Sequence, residues 1–352
     1  MVKQTYVMGE LMQLENEIEM LGVHAEGEIG RVITSGAPDI PGDTMVDKMN
    51  YINNVDDSLM KICLYEPRGA SQMTINLLTK PCRKDADMGF FPMQADGAHA
   101  MSGSNTICVT TALLEAGIIE PKGPRTVVKL DTPASLIEAT AHWDGKKVER
   151  VKIDMPTSFV EHLDHPLEVT GLGVIKVDVA FGGCYFALVR AEELGFSIAP
   201  EEARDLVELG ARINAAVQEQ ISVQHPEVPS FNRVEYPMFV AGSKTEIRNA
   251  TIIFPGRIDR SPCGTGTAAR LAVLLKRGEI SLDSEVSSRS IIGGEFIARI
   301  ESETTCGDRK AIRPTITGRG WIYGHHTLGV HPTDPFPLGY TLSDCWGAEK
   351  PR

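Results

Sequence analysis

The sequence predicts an α+β protein built from two similar lobes that face each other. Three observations carry this reading: strand-length apolar runs broken by Gly and Pro, a few helical stretches between them, and one helical pattern that occurs twice. Ser102-Gly-Ser-Asn-Thr-Ile-Cys-Val-Thr-Thr-Ala-Leu-Leu-Glu-Ala-Gly117 can be laid over Cys263-Gly-Thr-Gly-Thr-Ala-Ala-Arg-Leu-Ala-Val-Leu-Leu-Lys-Arg-Gly278. The offset is 263 − 102 = 161 residues, close to half of the 352-residue chain. Gly103/Gly264, Thr106/Thr267, Leu113/Leu274, Leu114/Leu275 and Gly117/Gly278 coincide. Each copy opens on small polar residues and closes on Gly, which suits a left-handed helix end. A match of both ends and of length points to a duplication.

Taken in order, Leu11, Leu14, Ile18 and Leu21 recur at helical spacing and predict a helix or arm over 5–21. Strand-like runs follow at 31–34, 60–65 and 74–78, among turn clusters such as Gly36-Ala-Pro38 and Pro41-Gly42. Met45, Met49 and Ile52 mark a helical stretch within 43–60. Further strands are expected at 126–130, 147–154, 174–181 and 184–189. Ala203, Leu206, Leu209, Ile213 and Val217 make 201–218 an amphipathic helix. The last strands expected are 251–254, 290–292, 296–300 and 321–322. The expected lobes are residues 1–170, joined by the C-terminal segment 335–352, and residues 171–334.

Composition narrows the function. With 47 Asp+Glu against 35 Lys+Arg, the net charge of −12 argues against nucleic acid or an anionic membrane as the main partner. Apolar runs fall well short of the ~20 residues of a membrane helix. The first residues mix acids into an amphipathic pattern and do not read as an export signal. A soluble, cytoplasmic protein is expected. The seven cysteines are scattered and none forms a CxxC pair, which disfavours a disulfide framework or a structural zinc site. His325, His326 and His331 have no nearby carboxylate or cysteine to complete a metal set.

The repeated helix starts carry the chemistry. A helix N-terminus leaves N–H groups unpaired and bears partial positive charge, so each copy is a cradle for an anion. Neither copy has the P-loop lysine or GxGxxG spacing. A small carboxylate held between two opposed helix starts fits better than a phosphate. The second copy follows Ile258-Asp259-Arg260-Ser261-Pro262, with proline suited to a first helical turn. Cys263 then stands where the helix field would stabilise a thiolate and lower its pKa from ~8.5. Asp259 either caps the helix or meets a cationic amine, and the sequence leaves both open.

These segments resemble a known family. Asp259-Arg-Ser-Pro-Cys-Gly-Thr-Gly-Thr267 resembles the second active-site motif of the proline racemase family. Ala100-Met-Ser-Gly-Ser-Asn-Thr106 resembles its first, where many members have Met-Cys-Gly-His. His24-Ala-Glu-Gly-Glu28, Ile40-Pro-Gly-Asp-Thr-Met45, Glu66-Pro-Arg-Gly69, Gly182-Gly183 before Tyr185, and Asp334-Pro-Phe336 also agree. The resemblance thus covers nearly the whole chain from His24 onward.

It implies a diaminopimelate-epimerase-like fold, two pseudo-symmetric lobes each with a mixed sheet wrapped round a central helix. The active site would lie in the cleft between them and use no cofactor or metal. By position, Ser102 and Cys263 become the acid/base pair. Gly103, Ser104, Gly264 and Thr265 become carboxylate-binding groups, and Asp259 contacts the ring nitrogen. The implied partner is a small-molecule substrate, hydroxyproline, with a second copy of the chain as a candidate homodimer partner.

Two departures set the expected reaction. Ser102 stands where cysteine is usual, and Ser104 where histidine is usual. An alcohol donates a proton readily but accepts one poorly without an adjacent base. One strong base and one neutral donor suit β-elimination of water. The expected activity is therefore dehydration of trans-3-hydroxy-L-proline to Δ1-pyrroline-2-carboxylate, with 2-epimerisation of 4-hydroxyproline as the alternative. Tyr185 and Phe186 either close over the substrate ring or pack as ordinary strand residues.

Overall fold

The computed structural model describes residues 14–253 and 256–346. The chain opens with strands β1 (Glu15–Ala25), β2 (Glu28–Ile29) and β3 (Arg31–Ser35), then helices α1 (Met45–Asn54) and α2 (Ser58–Leu64). Strands β4 (Ile75–Thr79), β5 (Met88–Gln94) and β6 (Gly97–Ala98) lead into helix α3 (Gly103–Glu115). After it come β7 (Arg125–Asp131), β8 (Leu136–Trp143) and β9 (Val148–Asp154). The second half gives β10 (Ser158–Val169), β11 (Gly173–Phe181), β12 (Tyr185–Arg190) and helix α4 (Ala203–Gln220). Strands β13 (Val234–Ser243), β14 (Glu246–Ile253) and β15 (Arg257–Ile258) lead into helix α5 (Gly264–Lys276). Strands β16 (Val286–Ser290), β17 (Glu295–Cys306), β18 (Arg309–Gly318) and β19 (Gly320–Val330) follow, then the short α6 (Ser343–Trp346).

The strands pair in one pattern twice. In the first half β3 runs parallel to β4, and β5 to β7; in the second β12 runs parallel to β13, and β14 to β16. The other neighbours in each series are antiparallel. Each series gains one leading strand, β19 beside β1 and β10 beside β11. β10 also pairs with β18 and closes the second series into a ring, while β9 pairs with β18 and joins the two lobes.

Pairing therefore groups residues 14–154 with 320–330, and residues 158–318 as the other lobe. The expected division at 170/171 falls at the tip of the β10–β11 hairpin, and an end at 334 would assign β19 to the wrong lobe. The C-terminal segment packs on the first lobe: Arg68 pairs with Asp334 at 3.1 Å and the Trp346 indole donates to Glu66 at 2.9 Å. Residues 347–352 of the expected joining segment lie outside the described residues.

Each lobe wraps its sheet round one helix. α3 is buried from Gly103 to Leu114 and α5 is buried along nearly all its length, so both are covered on every side rather than along a stripe. Each fully buried Leu or Ile there contributes roughly 1.5–3 kcal/mol. Gly117 and Gly278 end the two helices with φ of 68° and 70°, a backbone that favours glycine. α1 starts on a capping box, with Thr44 and Asp47 bonding each other's main-chain N–H groups. Among the described residues no helix is long and apolar enough to cross a membrane.

Three expected elements differ. Residues 15–21 belong to β1, where Ile18, Met20, Val23 and Ala25 are buried between β3 and β19; the earlier part of 5–21 lies outside the described residues, Leu14 apart. Residues 60–64 are helical, because Leu59, Met60, Cys63 and Leu64 bury one face at helical spacing. The strand expected at 290–292 lies earlier, at β16, whose three serines hid it. Of the strand expected at 251–254, residues 251–253 fall in β14 and Phe254 lies outside the described residues.

Candidate active site

Helices α3 and α5 meet at their N-termini. A β-carbon built on Gly103 would lie 3.3 Å from the Gly264 Cα, and the reverse distance is also 3.3 Å. Two main chains approach this closely only where neither residue has a side chain. Beside the contact lies a cavity of about 200 Å³ lined from both lobes. Ser102, Ser104 and Asn105 form one side; Asp259, Cys263 and Thr265 form the other. Five of the seven expected site residues thus share one cavity, while Gly103 and Gly264 form the helix contact next to it.

On the first side, Ser102 is the N-cap of α3 in extended backbone, with φ −150° and ψ 128°. Its Oγ accepts a hydrogen bond from the Asn105 side-chain amide at 2.9 Å and lies 3.3 Å from the Ser104 hydroxyl. His99, also on the cavity wall, pairs with Asp96 at 2.9 Å. Burial alone would lower the His99 pKa, but the charge and hydrogen bond of Asp96 raise it overall. The same pairing holds Asp96 below its ordinary value despite burial.

On the second side, Cys263 is the N-cap of α5 with φ 63° and ψ 105°. A non-glycine residue held there stores about 1–3 kcal/mol of strain. Its sulfur accepts from the Gly266 N–H at 3.4 Å and lies 3.7 Å from the Thr265 hydroxyl. Pro262 precedes the N-cap and so lies outside the first turn. Burial pushes the Cys263 thiol up from 9.0 to about 12, and the neighbouring Asp259 charge pushes it the same way. That corrects the expectation of a ready thiolate. A helix end offers up to about 2 kcal/mol, whereas this rise corresponds to about 4 kcal/mol.

Asp259 does not cap α5 itself. It accepts from the Ser261 N–H and hydroxyl, both at 2.8 Å, and the Ser261 oxygen in turn accepts from the Cys263 N–H at 3.1 Å. Burial and the nearby Glu28 raise Asp259 to about 7. Glu28, from the first lobe, accepts from Arg257 at 2.8 Å and from the Arg260 N–H at 2.7 Å. Both members of this inter-lobe ion pair are buried.

The cavity also takes residues that the sequence did not single out as site residues, among them Gln94, Cys184, Tyr236 and Thr251. Gln94 Oε1 and Thr251 Oγ1 are buried there without a hydrogen-bond partner among the described residues. Cys184 follows Gly182-Gly183 directly, and strand alternation turns it to the cavity while Tyr185 faces the core and bonds Glu161 at 3.3 Å. Tyr185 and Phe186 are both buried in core clusters and absent from the cavity wall, so they are packing residues. For Asn105 a signal existed: it occupies the third helical position after Ser102, where a side chain reaches back to the N-cap.

The family model described as proline racemase matches residues 20–341. The chain belongs to the proline racemase family. Its fold is the diaminopimelate-epimerase-like one expected; a PhzF-family phenazine biosynthesis protein of Bacillus anthracis shares it with a TM-score of 0.56 at 11% identity, covering 89% of this chain and 99% of that one. The 4-hydroxyproline 2-epimerase of Agrobacterium fabrum is 41% identical over 341 residues, covering 96% of this chain and 99% of that protein. A solved hydroxyproline epimerase from Agrobacterium vitis, with trans-4-hydroxy-L-proline bound, superposes with a TM-score of 0.89. It is 43% identical and covers 96% of this chain and 99% of that one.

These proline racemase family relatives overturn the dehydration of trans-3-hydroxy-L-proline expected above. The structure shows where that expectation went astray. It assumed one strong base facing one unaided alcohol. Instead burial and the Asp259 charge push the thiol away from ionisation, and the alcohol has an amide donor at its oxygen.

Proposed function

We propose that this protein inverts C2 of 4-hydroxyproline, removing the α-proton on one ring face and delivering a proton to the other. The observation that carries the reading is a single cavity flanked by the N-caps of two opposed helices, Ser102 and Cys263. The similarity to epimerases over nearly the whole chain supports it.

Helix starts favour anions, so the substrate carboxylate belongs at the N–H groups of Gly103, Ser104, Gly264 and Thr265. When the α C–H bond breaks, its electron pair spreads into that carboxylate, where fixed N–H dipoles meet the growing charge. The departing proton goes to one member of the Ser102/Cys263 pair. The other member's proton forms the new C–H bond on the opposite face. The ring ammonium belongs beside Asp259. There it offsets the carboxylate charge that raises the Cys263 thiol, so substrate entry itself moves the thiol toward ionisation. Gln94 and Thr251, with buried polar atoms unpaired among the described residues, suit the ring hydroxyl.

The test is incubation with trans-4-hydroxy-L-proline in D2O, followed by NMR and chiral chromatography. Deuterium at C2 together with cis-4-hydroxy-D-proline is the expected result. Recovery of unchanged substrate would refute the reading.

A further inference from the structure

Resting on that reading, we propose that Asn105 is a positioning residue that turns the Ser102 hydroxyl into a working partner for the Cys263 thiol. The evidence is a chain of hydrogen bonds whose direction can be assigned. The Arg31 carbonyl can only accept, and the Asn76 amide nitrogen donates to it at 3.3 Å. The same nitrogen donates to Asn105 Oδ1 at 2.9 Å. With its oxygen so engaged, Asn105 must present its own NH2 group to Ser102 Oγ, at 2.9 Å. Reversing Asn105 would require reversing Asn76, which would set two oxygens against each other at Arg31.

Both asparagines are buried, and the space for them is built in. A β-carbon on Gly30 would lie 2.6 Å from Asn105 Oδ1, so the pair fits only against glycine. The consequence is chemical. Ser102 Oγ already accepts one hydrogen bond, which leaves its proton free to point into the cavity. Once that proton is given up, the alkoxide faces an N–H donor rather than a lone pair. Cys263 has the equivalent donor three residues on, but there it is the main-chain N–H of Gly266. A thiolate needs such help less than an alkoxide, because its parent acid is far stronger.

The experiment compares wild type, Asn105→Ala, Ser102→Cys and the double variant, using each C2 epimer of 4-hydroxyproline in D2O. Inversion and deuterium entry without inversion are followed separately. Asn105→Ala is expected to slow inversion about 10- to 100-fold, the loss of one hydrogen bond to a charged oxygen. Deuterium entry without inversion, from the face served by Cys263, should persist. In the double variant a thiol replaces the alcohol, and inversion should recover at least tenfold over Asn105→Ala. Unimpaired inversion in Asn105→Ala, joint loss of inversion and exchange, or no recovery in the double variant would each overturn the inference. If Asn105→Ala no longer binds pyrrole-2-carboxylate, a planar mimic of the carbanion, Asn105→Asp replaces it; this variant keeps the Asn76 contact but offers Ser102 an acceptor, and wild-type inversion from it would overturn the inference. Wild-type protein that inverts neither epimer refutes the reaction assigned above. Wild-type protein that inverts beside an equally active Asn105→Ala refutes only the role of Asn105.

Discussion

At the mouth of α3 the N-cap is a serine in relaxed, extended backbone, steadied by a neighbouring side chain; at the mouth of α5 it is a cysteine in left-handed backbone, steadied by the main chain. The approaches differ as well. Asp96 and His99 lead into Ser102 as a mutually satisfied pair, whereas Asp259 leads into Cys263 as a carboxylate raised to about 7. The order of parallel and antiparallel pairs, the helix length and the closing glycines repeat, so what the duplication keeps is position. What it lets diverge is the donor set at each N-cap, and that is where the acidity of the reacting atom is decided.

The largest expected effect comes from removing the sulfur. Cys263→Ala should lower inversion by about 10³-fold or more, the range associated with losing a positioned acid or base. Pyrrole-2-carboxylate should still bind, because the helix starts remain. Calorimetry on the variant checks the second point and a chiral assay the first. Substantial turnover without the thiol would mean that the α5 mouth only holds the substrate, and the comparison would lose its chemical meaning.

Much of this site could be read from the chain because the duplication put both N-caps into one alignable pattern. The duplicated helix starts and the family resemblance together point to Ser102, Cys263, Ser104, Thr265 and Asp259, and these line one cavity. The lobe boundaries could not be read, since β10 closes onto β18 and β19 pairs with β1, partners far away in sequence. The state of the thiol is not legible in the sequence for a related reason. The helix field is a local property, but burial and the charge of Asp259 near Glu28 depend on how the lobes close. Asn105 sits within the motif, but the motif alone does not give its role. Its meaning lies in Asn76, on a strand 29 residues earlier.

A middle-sized effect concerns pH. Asp259 must be ionised to hold a ring ammonium, and burial with the Glu28 charge raises it to about 7. In the free protein kcat/KM should therefore rise with pH through an acid limb near 7. At pH 6 only about a tenth of the plateau would remain. Glu28→Gln removes a charge that raises Asp259 and leaves Arg257, which opposes it. The limb should move to lower pH, and relative activity at pH 6 should increase severalfold. A limb that stays in place in Glu28→Gln would show that Asp259 is not the group being titrated. The α3 approach should contribute no matching shift, because the Asp96–His99 pair does not involve Glu28.

The smallest effect separates the two neighbours of Ser102. Ser104 lies 3.3 Å from Ser102 Oγ, and either hydroxyl can donate, whereas Asn105 is closer and has its direction assigned. Thr265 stands in the same relation to Cys263, at 3.7 Å. These hydroxyls share the mouths symmetrically, so they cannot account for the difference between an alcohol and a thiol. Ser104→Ala removes a neutral contact worth about 1 kcal/mol at most. It should slow inversion by about fivefold or less, and it should leave the pH profile unchanged. Steady-state rates with both epimers across pH give the check. A loss in Ser104→Ala as large as that in Asn105→Ala would mean that the hydroxyl, not the amide, prepares Ser102. The two mouths would then be alike in the feature that this comparison takes as their difference.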